Sequence, residues 1–252
     1  MKSTAPIETG PWPAGSFLDM LSPASQAALL DLGVVRIFRN GEVMLREQEL
    51  SSHVVLLCDA VVKVTVNIEN GRTALLGIKV GGDLIGEMAA LGGEPRSATV
   101  TVCGDARVRM IQPQEFRRYL GDFPDAHLAL TRMIMHTLRF ADKRRVDFSG
   151  YPTLVRLARV LDELADGYGR VVPDGITFDI GLTQREIGAL VGAEEDSARK
   201  ELRRLRDRGV IRAGYRTITI LDRQALAAIA YDTAKAGDFA IRPTGTRQPS
   251  ER

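Results

Sequence analysis

From about residue 34 to residue 111 the chain is a succession of short β-branched runs, and after residue 113 its apolar period becomes helical. The runs are Val34-Val-Arg-Ile-Phe, Val43-Met-Leu, Val54-Val-Leu-Leu, Val61-Val-Lys-Val-Thr-Val, Ala74-Leu-Leu-Gly-Ile and Ala98-Thr-Val-Thr-Val-Cys. Gly and Asn separate them, and Asn70-Gly71 is the clearest two-residue hairpin turn. Short strands at even spacing fold into a sandwich or a jelly-roll barrel. The expected class is therefore α+β: a β jelly-roll over residues 16–122, then helices. A Pro/Gly-rich stretch, residues 1–15, reads as a loose arm. A first helix follows, with Ser22 as its N-cap and Pro23 at its first position.

Inside the β region, residues 85–100 read Ile-Gly-Glu-Met-Ala-Ala-Leu-Gly-Gly-Glu-Pro-Arg-Ser-Ala-Thr-Val. One carboxylate, Glu87, and one guanidinium, Arg96, flank a short apolar turn closed by Gly92, Gly93 and Pro95. A guanidinium grips the planar oxygens of a phosphate with two parallel N–H groups, which an ammonium cannot do. A buried carboxylate accepts the proton of a sugar hydroxyl. Gly86 permits close backbone approach, and the segment from Met88 to Leu91 can form one helical turn with free N–H groups. The pair suits a cyclic phosphodiester; the plainer alternative is a hairpin with a solvated Glu and Arg. This segment resembles the phosphate-binding cassette of the cyclic-nucleotide-binding domain family. The family's Gly-Glu step falls on Gly86-Glu87, and its Arg-Ser-Ala-Thr-Val step on residues 96–100. The resemblance implies that Glu87 holds the ribose hydroxyl and Arg96 the phosphate, with Gly86, Met88, Ser97 and Thr99 assisting.

Residues 123–147 form a predicted long helix on which Leu128, Thr131, Ile134, Met135 and Leu138 recur at helical spacing. It either packs on its own barrel or serves as a dimerisation helix. Gly150 and Pro152 mark residues 148–152 as a hinge, and a second domain is expected over 153–234. There Thr183 is answered by Glu186 in a capping box, and Ile187, Leu190 and Val191 make one apolar face. Gly192 turns the chain into a second helix with Ala198, Leu202 and Leu205 buried, and two short strands around Ala213-Gly214 make a wing. The segment from Thr183 to Gly192 resembles the DNA-binding domain of the cyclic-AMP receptor protein / fumarate-nitrate regulator superfamily. The resemblance implies a winged helix-turn-helix whose second helix enters the major groove. The candidate contacts are Thr183, Gln184, Arg185, Glu195, Asp196, Arg199, Lys200, Arg203 and Arg216. Residues 235–252 read as a disordered tail.

Two departures stand out. The second helix opens with Ala193-Glu194-Glu195-Asp196, where relatives carry Ser and a basic residue. That implies a different operator, or weakened DNA binding. Where the cyclic-AMP receptor protein offers hydroxyls to adenine, this chain has Ala141 and Asp142; the resemblance implies Asp142 as the base contact, accepting from the adenine amino group or from the guanine N1–H and amino edge, which leaves cyclic AMP and cyclic GMP both open.

The net charge of +2 announces no nucleic-acid partner by itself. Cys58 and Cys103 are too few for an iron–sulfur sensor and sit in strand-like contexts as small hydrophobes. His53, His127 and His136 lie in unlike contexts and read as surface or satisfied core residues, so neither an enzyme nor a metal or haem sensor is expected. No run approaches the ~18 apolar residues of a membrane span. The expectation is a cytoplasmic, homodimeric regulator without a resident cofactor. Its partners would be a cyclic nucleotide as allosteric ligand, cyclic AMP being favoured, a DNA duplex with a two-fold-symmetric operator, and RNA polymerase. The competing readings are a ligand-independent regulator of the same fold and a nucleotide-binding module with weak or lost DNA binding.

Overall fold

The computed structural model describes residues 12–68, 73–178, 180–214 and 217–232. The expected arm and tail, the Asn70-Gly71 turn and Arg216 lie outside or almost wholly outside these residues.

After α1 (Pro23–Asp31), the N-terminal half contains β1 (Val34–Phe38), β2 (Val43–Leu45), β3 (Val54–Asp59), β4 (Val61–Asn67), β5 (Thr73–Val80), β6 (Leu84–Ile85), the short helix α2 (Glu87–Gly92), β7 (Thr99–Val102) and β8 (Ala106–Ile111). They form two antiparallel four-stranded sheets, ordered β1-β8-β3-β6 and β2-β7-β4-β5. Strand β3 shows why the fold closes. Val55 and Leu57 enter a core shared with Val62, Val100, Val102 and Val108 of both sheets. Val54, Leu56 and Cys58, on the opposite face, pack with Phe17 of the turns before α1 and with Leu29, Phe116, Leu130 and Met133 of the helical layer. Buried on both faces, the strand is apolar at successive positions rather than at alternate ones.

That helical layer consists of α1, α3 (Pro113–Asp122) and the start of α4 (Pro124–Gly150). Asp125 joins α1 to α4 by accepting from the Ser22 N–H at 3.0 Å and from the Ser25 hydroxyl at 2.7 Å. The sequence placed a break near Asp147, but α4 continues through Gly150, and only Tyr151 and Pro152 separate it from α5 (Thr153–Tyr168). Gly150 is tolerated because it is the last helical residue, where no further turn depends on it.

The C-terminal half comprises α5, β9 (Arg170–Val172), β10 (Gly175–Phe178), α6 (Gln184–Leu190), α7 (Glu195–Asp207), β11 (Ile211–Ala213), β12 (Ile218–Ile220) and α8 (Arg223–Tyr231). The wing strands are half of a four-stranded sheet ordered β11-β12-β10-β9, whose β9–β10 hairpin adds two strands to those the sequence predicts. The core of this half reaches across the chain to Leu75 and Ile78 of β5. There β5 is an edge strand, and its outer margin is capped at Ile78, whose carbonyl accepts from the Tyr168 hydroxyl at 2.9 Å. Beside it, Lys63 of β4 donates to the Gly181 carbonyl at 3.0 Å and to the Glu186 carboxylate at 2.7 Å.

Candidate functional site

Glu87 and Arg96 lie on the two sides of the β6–β7 connection, as the cassette requires. The backbone turns into α2 at Gly86, whose φ of 79° is left-handed, and leaves it at Gly93 with φ 78°. A Cβ on Gly86 would collide with a terminal nitrogen of Arg96 and lie 3.0 Å from the His53 carbonyl oxygen, so that position has no room for a side chain.

Arg96 is the largest fully buried side chain described, with 2% of its surface exposed. A buried guanidinium is tolerated only with hydrogen-bond acceptors around it. Here Nε donates to Ser51 Oγ at 2.9 Å, Nη1 to the Gly86 carbonyl at 2.8 Å and Nη2 to the His53 carbonyl at 2.7 Å. A guanidinium has five N–H groups. Three are held by protein, so one remains on each terminal nitrogen, the number a two-pronged phosphate contact uses. The loop before β3 completes the cradle, since the Arg96 N–H donates to the Glu49 carbonyl and its carbonyl accepts from the Gln48 N–H. Burial lowers the pKa of Arg96, while Glu49 and Glu87 oppose the shift. Glu87 is partly buried, and burial pushes its carboxyl above the ordinary range against the pull of Lys79 and Arg96.

The remaining cassette residues divide. Met88 is exposed and Ser97 Oγ reaches its sulfur at 3.9 Å. Thr99 Oγ1 accepts from the Glu47 N–H at 3.1 Å, so it braces the same loop. Asp142 is exposed, and the residues after it on α4 turn toward the C-terminal half, Lys143 pairing with Glu163 and Arg144 with the Leu190 carbonyl. Among the described residues no hydrogen bond or ion pair links Asp142 to Arg96. Sequence reasoning missed Ser51, His53 and Glu49, because no local motif announces acceptors that pairing brings from about forty-five residues away. His53 also departs from a satisfied histidine: its Nε2 is buried without a partner, and burial, then Arg96, lowers its pKa.

In the C-terminal half, Thr183 caps α6 by accepting from the Glu186 N–H at 3.2 Å, and Glu186 accepts from the Thr183 N–H at 2.8 Å. Leu202, Leu205 and Ala198 are buried, which leaves Glu195, Asp196, Arg199, Lys200 and Arg203 exposed on the free face of α7. Thr183, Gln184 and Arg185 are exposed at the start of α6. Arg199 is engaged by its own helix, through Glu195 at 2.6 Å and Asp196 at 3.2 Å. Among the described residues no group of three His, Cys, Asp or Glu could hold a metal ion, and no helix is long and apolar enough to cross a membrane.

A buried guanidinium held by three protein acceptors beside the short helix α2 of a β sandwich, joined to a capped helix-turn-helix with a wing, defines a ligand-sensing DNA-binding protein class. Comparison with known proteins agrees. Residues 35–122 match the family described as cyclic nucleotide-binding domain, and residues 155–229 match the Crp-like helix-turn-helix domain. The chain belongs to the Crp/Fnr superfamily of transcription regulators. It is 27% identical over 207 residues to the CRP-like cAMP-activated global transcriptional regulator of Mycobacterium tuberculosis, covering 82% of this chain and 92% of that one. It is 28% identical over 161 residues to the cAMP-activated global transcriptional regulator CRP of Salmonella typhimurium, covering 63% and 76%. Among solved structures, FixK2 from Bradyrhizobium japonicum shares the fold with a TM-score of 0.68 at 20% identity, covering 78% of this chain and 96% of that one. The c-di-GMP responsive regulator CLP of Xanthomonas campestris does so with a TM-score of 0.70 at 16% identity, covering 80% and 100%.

Proposed function

We propose that this protein is a homodimeric transcription regulator whose binding to duplex DNA responds to a cyclic nucleotide, with cyclic AMP the favoured ligand. The observation that carries the reading is the state of Arg96: buried, held by three protein acceptors, and left with one N–H on each prong of its fork. The two prongs bind the cyclic phosphate, and Glu87 accepts from the ribose 2′-hydroxyl. Two relatives named as cAMP-activated favour the adenine nucleotide.

Helix α4 supplies the dimer contact. Its sensor-facing residues are Ala126, Ala129, Leu130 and Met133, whereas Leu128, Met135 and Leu138 remain 50%, 51% and 62% exposed. Positions 128, 135 and 138 are spaced seven and three apart, the interval of a coiled-coil seam. Asp142 would then meet the nucleotide base through the second protomer or not at all. Asp196, Lys200 and Arg203 read or anchor the operator from α7, with Thr183, Gln184 and Arg185 on phosphates. Calorimetric titration with cyclic AMP and, separately, cyclic GMP tests the reading. Saturable micromolar binding of one supports it, and silence from both removes it.

One observation favours a second reading, a nucleotide-binding module with weak DNA binding. Glu195 and Asp196 both occupy Arg199, and carboxylates near a phosphate backbone repel it. Duplex affinity that fails to fall as salt rises would favour this reading.

A further inference from the structure

The last two turns of α4 lie directly on the turn of the helix-turn-helix. Arg144 donates to the Leu190 carbonyl, at the end of α6. Four residues further along α4, the Phe148 ring covers Gly192, so closely that a Cβ there would meet ring carbons at 2.8 and 3.1 Å. From α5, Arg156 donates to the Gly192 carbonyl at 3.3 Å. Each arginine is itself stacked on an α4 ring, Arg144 on Phe140 at 4.4 Å and Arg156 on Phe148 at 5.0 Å. Two costs are accepted in this arrangement: the Nε groups of both arginines are buried without partners, and Phe148 is 63% exposed. Neither is needed to build a core.

We propose that Arg144, Phe148 and Arg156 are positioning residues for the DNA-reading helix: they clamp the four-residue turn before α7, residues 191–194, to the end of α4, so that α4 and the turn move as one piece. Gly192, with φ 63°, is where α6 hands over to α7, so a shift of α4 reaches the turn without passing first through α5. This rests on the DNA-binding reading above, but the contact can be tested without it.

The test uses the full chain. In a double-mutant cycle, Gly192→Ala is made in the wild type and in Phe148→Ala. The new methyl suffers left-handed strain in both backgrounds, but meets the ring in only one. A melting-point loss clearly smaller in the Phe148→Ala background supports the clamp, and equal losses overturn it. In a second arm, Phe148→Leu and Arg144→Met are titrated with cyclic AMP and with the duplex that the wild type enriches from a randomised pool. Both should keep cyclic AMP affinity within about two-fold, weaken duplex binding about ten-fold, and shrink the gain in duplex affinity that cyclic AMP brings. Unchanged duplex affinity and an unchanged gain overturn the positioning role. If the wild type binds no cyclic AMP or enriches no duplex, it is the proposed function that fails, and the cycle alone decides the clamp.

Discussion

Gly86→Ala and Gly93→Ala make a controlled pair. Both positions hold the same left-handed backbone, φ 79° and 78°, at the two ends of α2. A methyl at Gly93 meets nothing within 4 Å, whereas one at Gly86 runs into Arg96 and the His53 carbonyl. For a residue with a Cβ this conformation costs about 1–2 kcal/mol. Part of that, about 0.4–1 kcal/mol, is offset because alanine stiffens the unfolded chain. Gly93→Ala should therefore lose about 1 kcal/mol and melt about 2–4 °C lower. Gly86→Ala carries the same strain and also pushes Nη1 off the Gly86 carbonyl. Losing one charged hydrogen bond adds about 1.5–3 kcal/mol. Its melting point should fall by about 5–15 °C. Because the displaced nitrogen is one prong of the fork, cyclic AMP affinity should fall roughly 10–150-fold. Gly93→Ala should leave that affinity nearly unchanged. Calorimetric melting and titration of both variants measure all four quantities. Equal melting points and equal affinities for the two would refute the placement of Arg96 against Gly86.

Three further outcomes are expected. Glu87→Gln removes a carboxylate whose pKa burial raises, so ionising it opposes folding of the ligand-free chain as pH rises through that raised value. At pH 7 the variant should melt no lower than wild type yet bind cyclic AMP roughly ten-fold more weakly, the loss of a charge-assisted hydrogen bond; a lower melting point with unchanged affinity would contradict this. Asp125 is held down to about 2 by the Ser25 hydroxyl and the Ser22 N–H, so its contribution is complete above its ordinary value of 3.8 and disappears as pH falls through 2. The melting difference between wild type and Asp125→Asn should be flat above about pH 4 and close toward about pH 2, and a difference that grows on acidification would reverse the sign. Lys200→Ala should weaken duplex binding and reduce the slope of log affinity against log salt by about one, if its ammonium contacts a phosphate. An unaltered slope together with a changed base preference would assign Lys200 to a base edge instead.

The parts legible in the sequence are those whose determinants are neighbours along it. The cassette spans sixteen residues, and the capping box at Thr183 and Glu186 spans four; in both, residue type at fixed spacing dictates the geometry. The end of α4 lies beyond the break that Gly150 suggests, because a terminal glycine costs a helix little and only Pro152 stops it. The apolar stripe on α4 was visible, but periodicity cannot say which face meets the sensor; small Ala126 and Ala129, which allow close approach, mark that face. Ser51 and His53 around Arg96, Lys63 against Glu186, and Phe148 over Gly192 depend on pairings between distant segments. No local pattern encodes such pairings.

The core that runs from α5 and α6 into Leu75 and Ile78 also bears on how such a chain can be divided or inherited. Pro152 looks like the natural cutting point, yet a sensor released there would carry an uncovered β5 margin, two bare aliphatic side chains and a Lys63 deprived of its carboxylate. Such a fragment offers an open strand to its own copies and would tend toward self-association. The lid over β5 is the reader itself. A chimera that grafts a foreign reader onto this sensor would therefore have to bring equivalents of Tyr168 and Glu186 with it. The unit that can be exchanged between proteins is the reader together with its seat on β4 and β5.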